Sequence, residues 1–326
     1  MNPDITAILA LLLTPGVGAT TAGRVLAAAR LCGESVRGLL ALSPRALAAL
    51  LPPGFEQVVR ARTWYDAHNY GEAAQLLTRV RKMGGLAFRI GDAGYPPALG
   101  RYLDTTAPPL LFVLGDPSLL IQPAAAVVGT RSPSENGVRM AHGCARLLVW
   151  EGAVLVSGGA AGVDTVAHHA ALDAGGKTAV VLPQGLLTYR CSKAFACALH
   201  DHRLVLVSQF PPATGWETYA AVTRNATISA LARLVCVIEP KKQGGSLRTA
   251  RCALAQRKRV LVCGSGGSAG PAKLFRFAPG LEIIEGPPDA ACAQRLWRLS
   301  GQDEADAGLF AAAVIVKQAS GALTAR

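Results

Sequence analysis

Aromatic side chains, acidic side chains and paired cysteines are all scarce in this chain of 326 residues. Aromatics make up only 6%, and much of the apolar content is alanine, leucine and valine. That mix suits packed helices and parallel strands more than an all-β sandwich. Acidic residues number 21 against 33 Lys and Arg, a formal net charge of +12. Such an excess favours a polyanionic partner. The eight cysteines, Cys32, Cys144, Cys191, Cys197, Cys236, Cys252, Cys263 and Cys292, contain no Cys-x-x-Cys pair. A zinc site of the usual spacing is thereby disfavoured, no metal or cofactor is expected, and thiols in apolar runs fit a reducing cytoplasm. No apolar stretch is long enough to span a membrane. The opening "MNPDITAILALLLTPGVG" lacks the basic start of a signal peptide.

What is present is a large apolar fraction, 51%, in a chain long enough for about two domains. Residues 1–85 read as helical. "DITAILALLLTPGVGATTAGRVLAAARL" has apolar periodicity near 3.6 on both sides of Pro15-Gly16-Val17-Gly18. Ser43-Pro44 starts another helix, and "WYDAHNYGEAAQLLTRVRKMGG" reads as one amphipathic helix ending at Gly84-Gly85. Residues 86–116 are rich in proline and turns and read as an entry segment. Apolar strands then alternate with helices: "AAAVVGT", a helix over 135–151, "AVLVSG", a helix over 163–174, "KTAVVLPQG", "LVLVSQF", a helix in "TRNATISALA", "LVCVIEP", a helix in "GGSLRTARCALAQ", and "RVLVCGSGG" as the last clear strand. This alternation predicts an α/β fold with a mostly parallel, doubly wound sheet covered on both faces. Residues 289–326 read as a short helical tail. The expected domains are 1–85, 86–288 and 289–326.

Ligands of an open parallel sheet bind outside the carboxyl ends of its strands, and four turns there carry small or basic residues. In the first, Gly129 permits close backbone approach, Thr130 offers a hydroxyl and Arg131 a fork of donors. In the second, Ser157, Gly158 and Gly159 leave a strand and Gly162 precedes a helix, an arrangement suited to an anion. This stretch matches neither Gly-x-x-x-x-Gly-Lys-Ser/Thr nor Gly-x-Gly-x-x-Gly, so no ATP or nicotinamide fingerprint is present. Asp164 and His168 share a helix face there. A capping Asp and a half-buried His are expected in preference to a catalytic pair. In the third, Arg224 and Asn225 are expected at a helix start. In the fourth, Gly245, Ser246, Arg248 and Thr249 open a helix behind Lys241 and Lys242. Arg233, Arg251, Arg257, Lys258 and Arg259 add to the basic cluster.

At these turns the sequence resembles the DNA-processing protein A family. The matching pieces come in the family's order: Pro-Gly-Val-Gly at 15–18, Gly94-Tyr95-Pro96-Pro97-Ala98-Leu99, Val128-Gly129-Thr130-Arg131, Ser157 to His168 with Ala171-Leu172, Gly176-Lys177-Thr178, Phe210-Pro211-Pro212, Arg224-Asn225 with Ile228-Ser229, and Gly245-Ser246-Leu247 with Thr249-Ala250. The resemblance implies a sterile-alpha-motif or helix-hairpin-helix-like module ahead of an extended Rossmann-like domain. It implies single-stranded DNA binding, delivery of the strand to the RecA recombinase in natural transformation, and a homodimer formed through the Rossmann domain. It implies no enzymatic activity. Three positions depart from the pattern: Ala161 and Ala226 stand where the family has arginine, and Gln209 where it has an acidic residue. No winged helix is legible in the tail.

The leading expectation is therefore a single-strand binder, with Tyr189, Phe210, Trp216 and Tyr219 as stacking candidates. The alternative is a nucleotide sensor or a nucleotide-processing Rossmann protein of phosphoribohydrolase type, acting in defence. Against cleavage, the Gly244–Arg251 loop carries no glutamate. A third reading gives the main DNA contact to Gly16 and Gly18, although a helix-helix turn explains those residues equally.

Overall fold

A computed structural model describes residues 2–52, 54–64, 67–242, 244–264, 279–285, 294–295 and 297–301. The chain begins with helices α1 (Pro3–Leu13), α2 (Ala19–Leu31), α3 (Val36–Ala41), α4 (Pro44–Leu50), α5 (Glu56–Trp64) and α6 (Ala67–Lys82). Their ends follow local chemistry. The Asn2 side chain accepts from the Asp4 amide, and Ser43 caps α4 with Pro44 as its first residue. Gly16 takes a φ of 80° between α1 and α2, and Gly84 a φ of 82° after α6. There the Gly85 amide bonds back to the Val80 carbonyl, closing α6 in a Schellman-type turn. The segment read as one helix from Trp64 is divided: α5 ends at Trp64 and α6 starts at Ala67.

The remaining elements are β1 (Leu86–Arg89), α7 (Pro97–Leu103), β2 (Leu110–Gly115), β3 (Ala124–Gly129), α8 (Glu135–Trp150), β4 (Val154–Ser157), α9 (Val163–Asp173), β5 (Thr178–Val181), α10 (Lys193–His200), β6 (Leu204–Ser208), α11 (Thr218–Leu231), β7 (Leu234–Ile238), α12 (Gly245–Ala255), β8 (Arg259–Gly264) and β9 (Leu281–Glu285). The strands are hydrogen-bonded in the order β1-β2-β6-β5-β4-β3-β7-β8-β9. Pairing is antiparallel at β1–β2 and β2–β6, and parallel at β5–β6, β3–β7, β7–β8 and β8–β9. The α/β class with a mostly parallel sheet follows as expected. Two details differ. The "entry segment" supplies two strands of the sheet itself, and β9 follows the strand read as the last.

The chain divides into two compact units, one of residues 1–122, 156–159 and 177–231, the other of 123–155, 160–176 and 232–326. In the first unit the helices are tied to the sheet by charge. The Asp4 carboxylate accepts from Arg89 at 3.1 Å, and Arg89 also bonds Asp92 at 3.0 Å. α1, whose Ile5 and Ala7 to Leu11 are all buried, packs on β1 and β2. Tyr95 is buried and donates to the Pro108 carbonyl at 2.8 Å; burial pushes its phenol pKa up.

The second unit packs α8 against α9 over β3, β7 and β8. Its core holds three buried thiols. All three are free, and hydrogen bonding with the Cys236 and Cys263 thiols, together with burial, holds the Cys144 pKa well above the usual thiol range. Of the 289–326 tail, the described residues 294–295 and 297–301 are helical, and the rest lies outside the described residues. Trp297 packs against this core and donates to the Glu151 carbonyl at 3.2 Å.

Candidate functional site

In the first unit, β4 ends at Ser157, which is wholly buried, and the chain turns through Gly158 and Gly159, the latter at a φ of 65°. Gly158 has a specific reason to be glycine. A Cβ there would lie 1.3 Å from Arg224 Nη1 and 2.0 Å from its Cζ. The Arg224 guanidinium therefore lies directly on the Gly158 backbone. Arg224 and Asn225 are 5% and 7% exposed. Both differ from expectation in place. α11 starts at Thr218, so they lie well inside the helix and not at its amino end. The helix reaches back through "TYAAV", a run with nothing to stop it. Gln209, the departure before Phe210-Pro211-Pro212, accepts a hydrogen bond from the Thr227 hydroxyl.

In the second unit, the Gly129–Ser134 turn is latched on several sides. The Thr130 amide bonds the Ile238 carbonyl at 3.3 Å, and the Val163 amide bonds the Thr130 carbonyl at 3.2 Å. Gly129 and Gly162 are required by close approach. A Cβ on Gly129 would lie 2.4 Å from the Ile238 carbonyl oxygen, and one on Gly162 2.6 Å from the Arg131 carbonyl. Thr130 is buried, whereas Arg131 is exposed. The turn thus fixes the Arg131 backbone and leaves its side chain in solvent.

Glu239 completes this latch and was not singled out from the sequence. It follows β7 in the left-handed region, at a φ of 45°. Its carboxylate accepts from the Ser134 amide at 2.9 Å and from the Ser134 hydroxyl, while Ser134 caps α8 by accepting from the Gly137 amide at 3.1 Å. Gly137 makes room: a Cβ there would meet Glu239 Oε2 at 2.5 Å. The one sequence signal was an acidic residue directly after a buried strand.

The three helix starts of this unit now differ in electrostatic character. The α8 start faces the Glu239 carboxylate. The α9 start carries buried Asp164, whose carboxylate accepts from the Ala160 amide at 3.4 Å. A carboxylate at a helix start offsets the positive end of the dipole. The α12 start carries none. Gly244 precedes it without a capping side chain, and Lys241, Lys242, Gly245 and Arg248 are exposed around it. Ser246 and Thr249 are buried, with the Thr249 hydroxyl bonded to the Gly245 carbonyl at 3.2 Å. Of the wider basic cluster, Arg251 and Arg257 are exposed, but Lys258 is buried and its ammonium bonds the Ala232 carbonyl at 2.6 Å. His168, expected half-buried, is wholly buried. Ala161 is exposed.

Fold and turns together define an α/β protein of Rossmann-like type with a helical region ahead of its sheet. The chain belongs to the DNA recombination-mediator protein A family, whose model matches residues 87–276. Protein Smf of Escherichia coli K12 is 38% identical over 188 residues, which is 56% of this chain and 50% of that protein. The DNA processing protein DprA of Streptococcus pneumoniae is 38% identical over 178 residues, 54% of this chain and 62% of that one. DprA of Bacillus subtilis is 32% identical over 214 residues, 64% of this chain and 71% of that one. The matched stretch thus spans only half of the E. coli protein. The X-ray structure of the S. pneumoniae protein matches with a TM-score of 0.67 at 26% identity, covering 85% of this chain and 93% of that chain. A Helicobacter pylori DNA processing protein A shares the fold at a TM-score of 0.54 and 22% identity, covering 67% of this chain and 96% of that one. Among the described residues no helix is long and apolar enough to cross a membrane.

Proposed function

We propose that this chain binds single-stranded DNA by its phosphates and delivers it to the RecA recombinase, working in the cytoplasm as a homodimer without catalysing a reaction. The observation that carries the reading is the α12 start in a member of this family: a helix whose first turn holds no acidic residue, amid exposed Lys241, Lys242 and Arg248. The solved H. pylori relative is described by its single-stranded DNA binding mode, which supports the same ligand here. Exposed Arg131 adds a further cation in the second unit, and in the first unit buried Arg224 with Asn225, Ser157, Gly158 and Gly159 forms the framework of the turn after β4. Residues 1–85 are taken as the helical module, 86–288 as the binding domain and 289–326 as an appendage. The test is a gel-shift titration with labelled oligo-dT at rising salt, with and without RecA. Binding that weakens with salt and speeds RecA filament formation is expected; absence of binding at low salt would overturn the reading.

A further inference from the structure

Among the described residues three large aromatic side chains stand in solvent: Trp150, whose ring the Arg146 guanidinium covers, and two that lie within four residues of each other. Trp216 is 52% exposed and Tyr219 73% exposed. Trp216 lies two residues before α11 and Tyr219 in its first turn. Neither is needed by the core, and leaving such area in water is unfavourable unless something covers it. The loop that carries them is held in one shape. The Thr214 amide bonds the Pro211 carbonyl at 2.9 Å, the Gly185 amide bonds the Thr214 carbonyl at 2.9 Å, and the Leu187 amide bonds the Pro212 carbonyl at 3.0 Å. The Thr188 hydroxyl adds a bond to the Thr214 carbonyl at 2.8 Å. A surface fixed in advance loses little freedom when a ligand settles on it.

We infer that Trp216 and Tyr219 form a stacking surface for unpaired nucleobases at the start of α11. This rests on the proposed single-strand binding and adds to it a subsite for bases as distinct from phosphates. Charge favours that assignment. Glu217, exposed between the two aromatics, repels a phosphate, so an uncharged base face is the ligand part that fits. Exposed Arg190 and Lys193 follow the Leu186–Thr188 turn that is bonded to this loop, and they offer cations for the flanking backbone. Every base has a π face, so the surface reads no sequence.

The experiment compares oligo-dT with an abasic oligonucleotide of equal length and charge, using the full chain. The wild type is expected to bind oligo-dT about tenfold more tightly, which is about 1.4 kcal/mol. Trp216→Ala with Tyr219→Ala removes that preference and leaves the abasic affinity unchanged, while Trp216→Phe with Tyr219→Phe restores it. Oligo-dT also quenches tryptophan fluorescence in the wild type and much less in Trp216→Phe. Equal affinity of the wild type for both strands overturns the inference but leaves phosphate binding standing. Binding to neither strand overturns both. Alanine variants that keep the full preference, but fall from dimer to monomer by light scattering, assign the surface to a protein contact and overturn it.

Discussion

Arg224 and Gly158 form a pair in which the smaller member sets the position of the larger. With its guanidinium lying on the Gly158 backbone, Gly158→Ala must displace Arg224 or the turn. Overpacking of this kind costs about 1–3 kcal/mol, so a lower urea midpoint is expected, together with weaker oligo-dT binding. Ala161 offers the opposite change. It is exposed where the family resemblance implies arginine, so Ala161→Arg adds a cation without crowding. Its expected effect is tighter binding and a salt slope steeper by about 0.7, the value of one added phosphate contact on a single strand. Tyr95 gives a pH signature. Its folded pKa is raised by burial above the usual value of about 10. The stability it contributes is full below that value and is lost as pH rises through the folded pKa. Urea midpoints of the wild type are therefore expected to fall above about pH 10, and Tyr95→Phe to fall less.

Among the elements, the β7–Glu239–α8 latch is the most exposed to test. Glu239→Ala removes the acceptor of the Ser134 amide and hydroxyl; Ser134 is exposed, so water takes up part of the loss and a cost of about 0.5–1.5 kcal/mol is expected by chemical unfolding. Because the same contact fixes the Gly129–Ser134 turn, Arg131→Ala should lose its effect on DNA affinity in the Glu239→Ala background, which a double-mutant cycle reads. Elements with a strong local signal were legible before any coordinates. β3, β4, β7, α8 and α9 follow from apolar runs, and the start of α9 from Gly162. What stayed hidden was non-local. Nothing in "GWETYAAVTRNATISAL" marks Thr218 as the first residue of α11, so Arg224 was placed at a helix end that lies elsewhere. β9 pairs in parallel with β8 across a long separation, and a short run such as "LEIIE" has no periodicity to announce it. Glu239 works through a left-handed backbone and a partner 105 residues away.

For the whole molecule, binding is expected to be an electrostatic property with a fixed stoichiometry of charge. Replacing Arg131, Lys241, Lys242 and Arg248 together by alanine should shallow the slope of log K against log salt by about 2.8 if each meets one phosphate. The helices of residues 1–85 belong to the packing of the first unit through α1 and the Asp4–Arg89 pair. Deleting them uncovers apolar faces of β1 and β2, so a lower thermal midpoint and poorer solubility are expected even if DNA binding persists. The three buried thiols described in the second unit give the molecule an internal clock. Cys144, Cys236 and Cys263 are buried, whereas Cys191 and Cys197 are exposed. An aromatic disulfide reagent should consume the exposed pair at once and the buried trio only at the rate at which that core opens. The slow phase of colour release would then time the opening of one half of the protein without any added label.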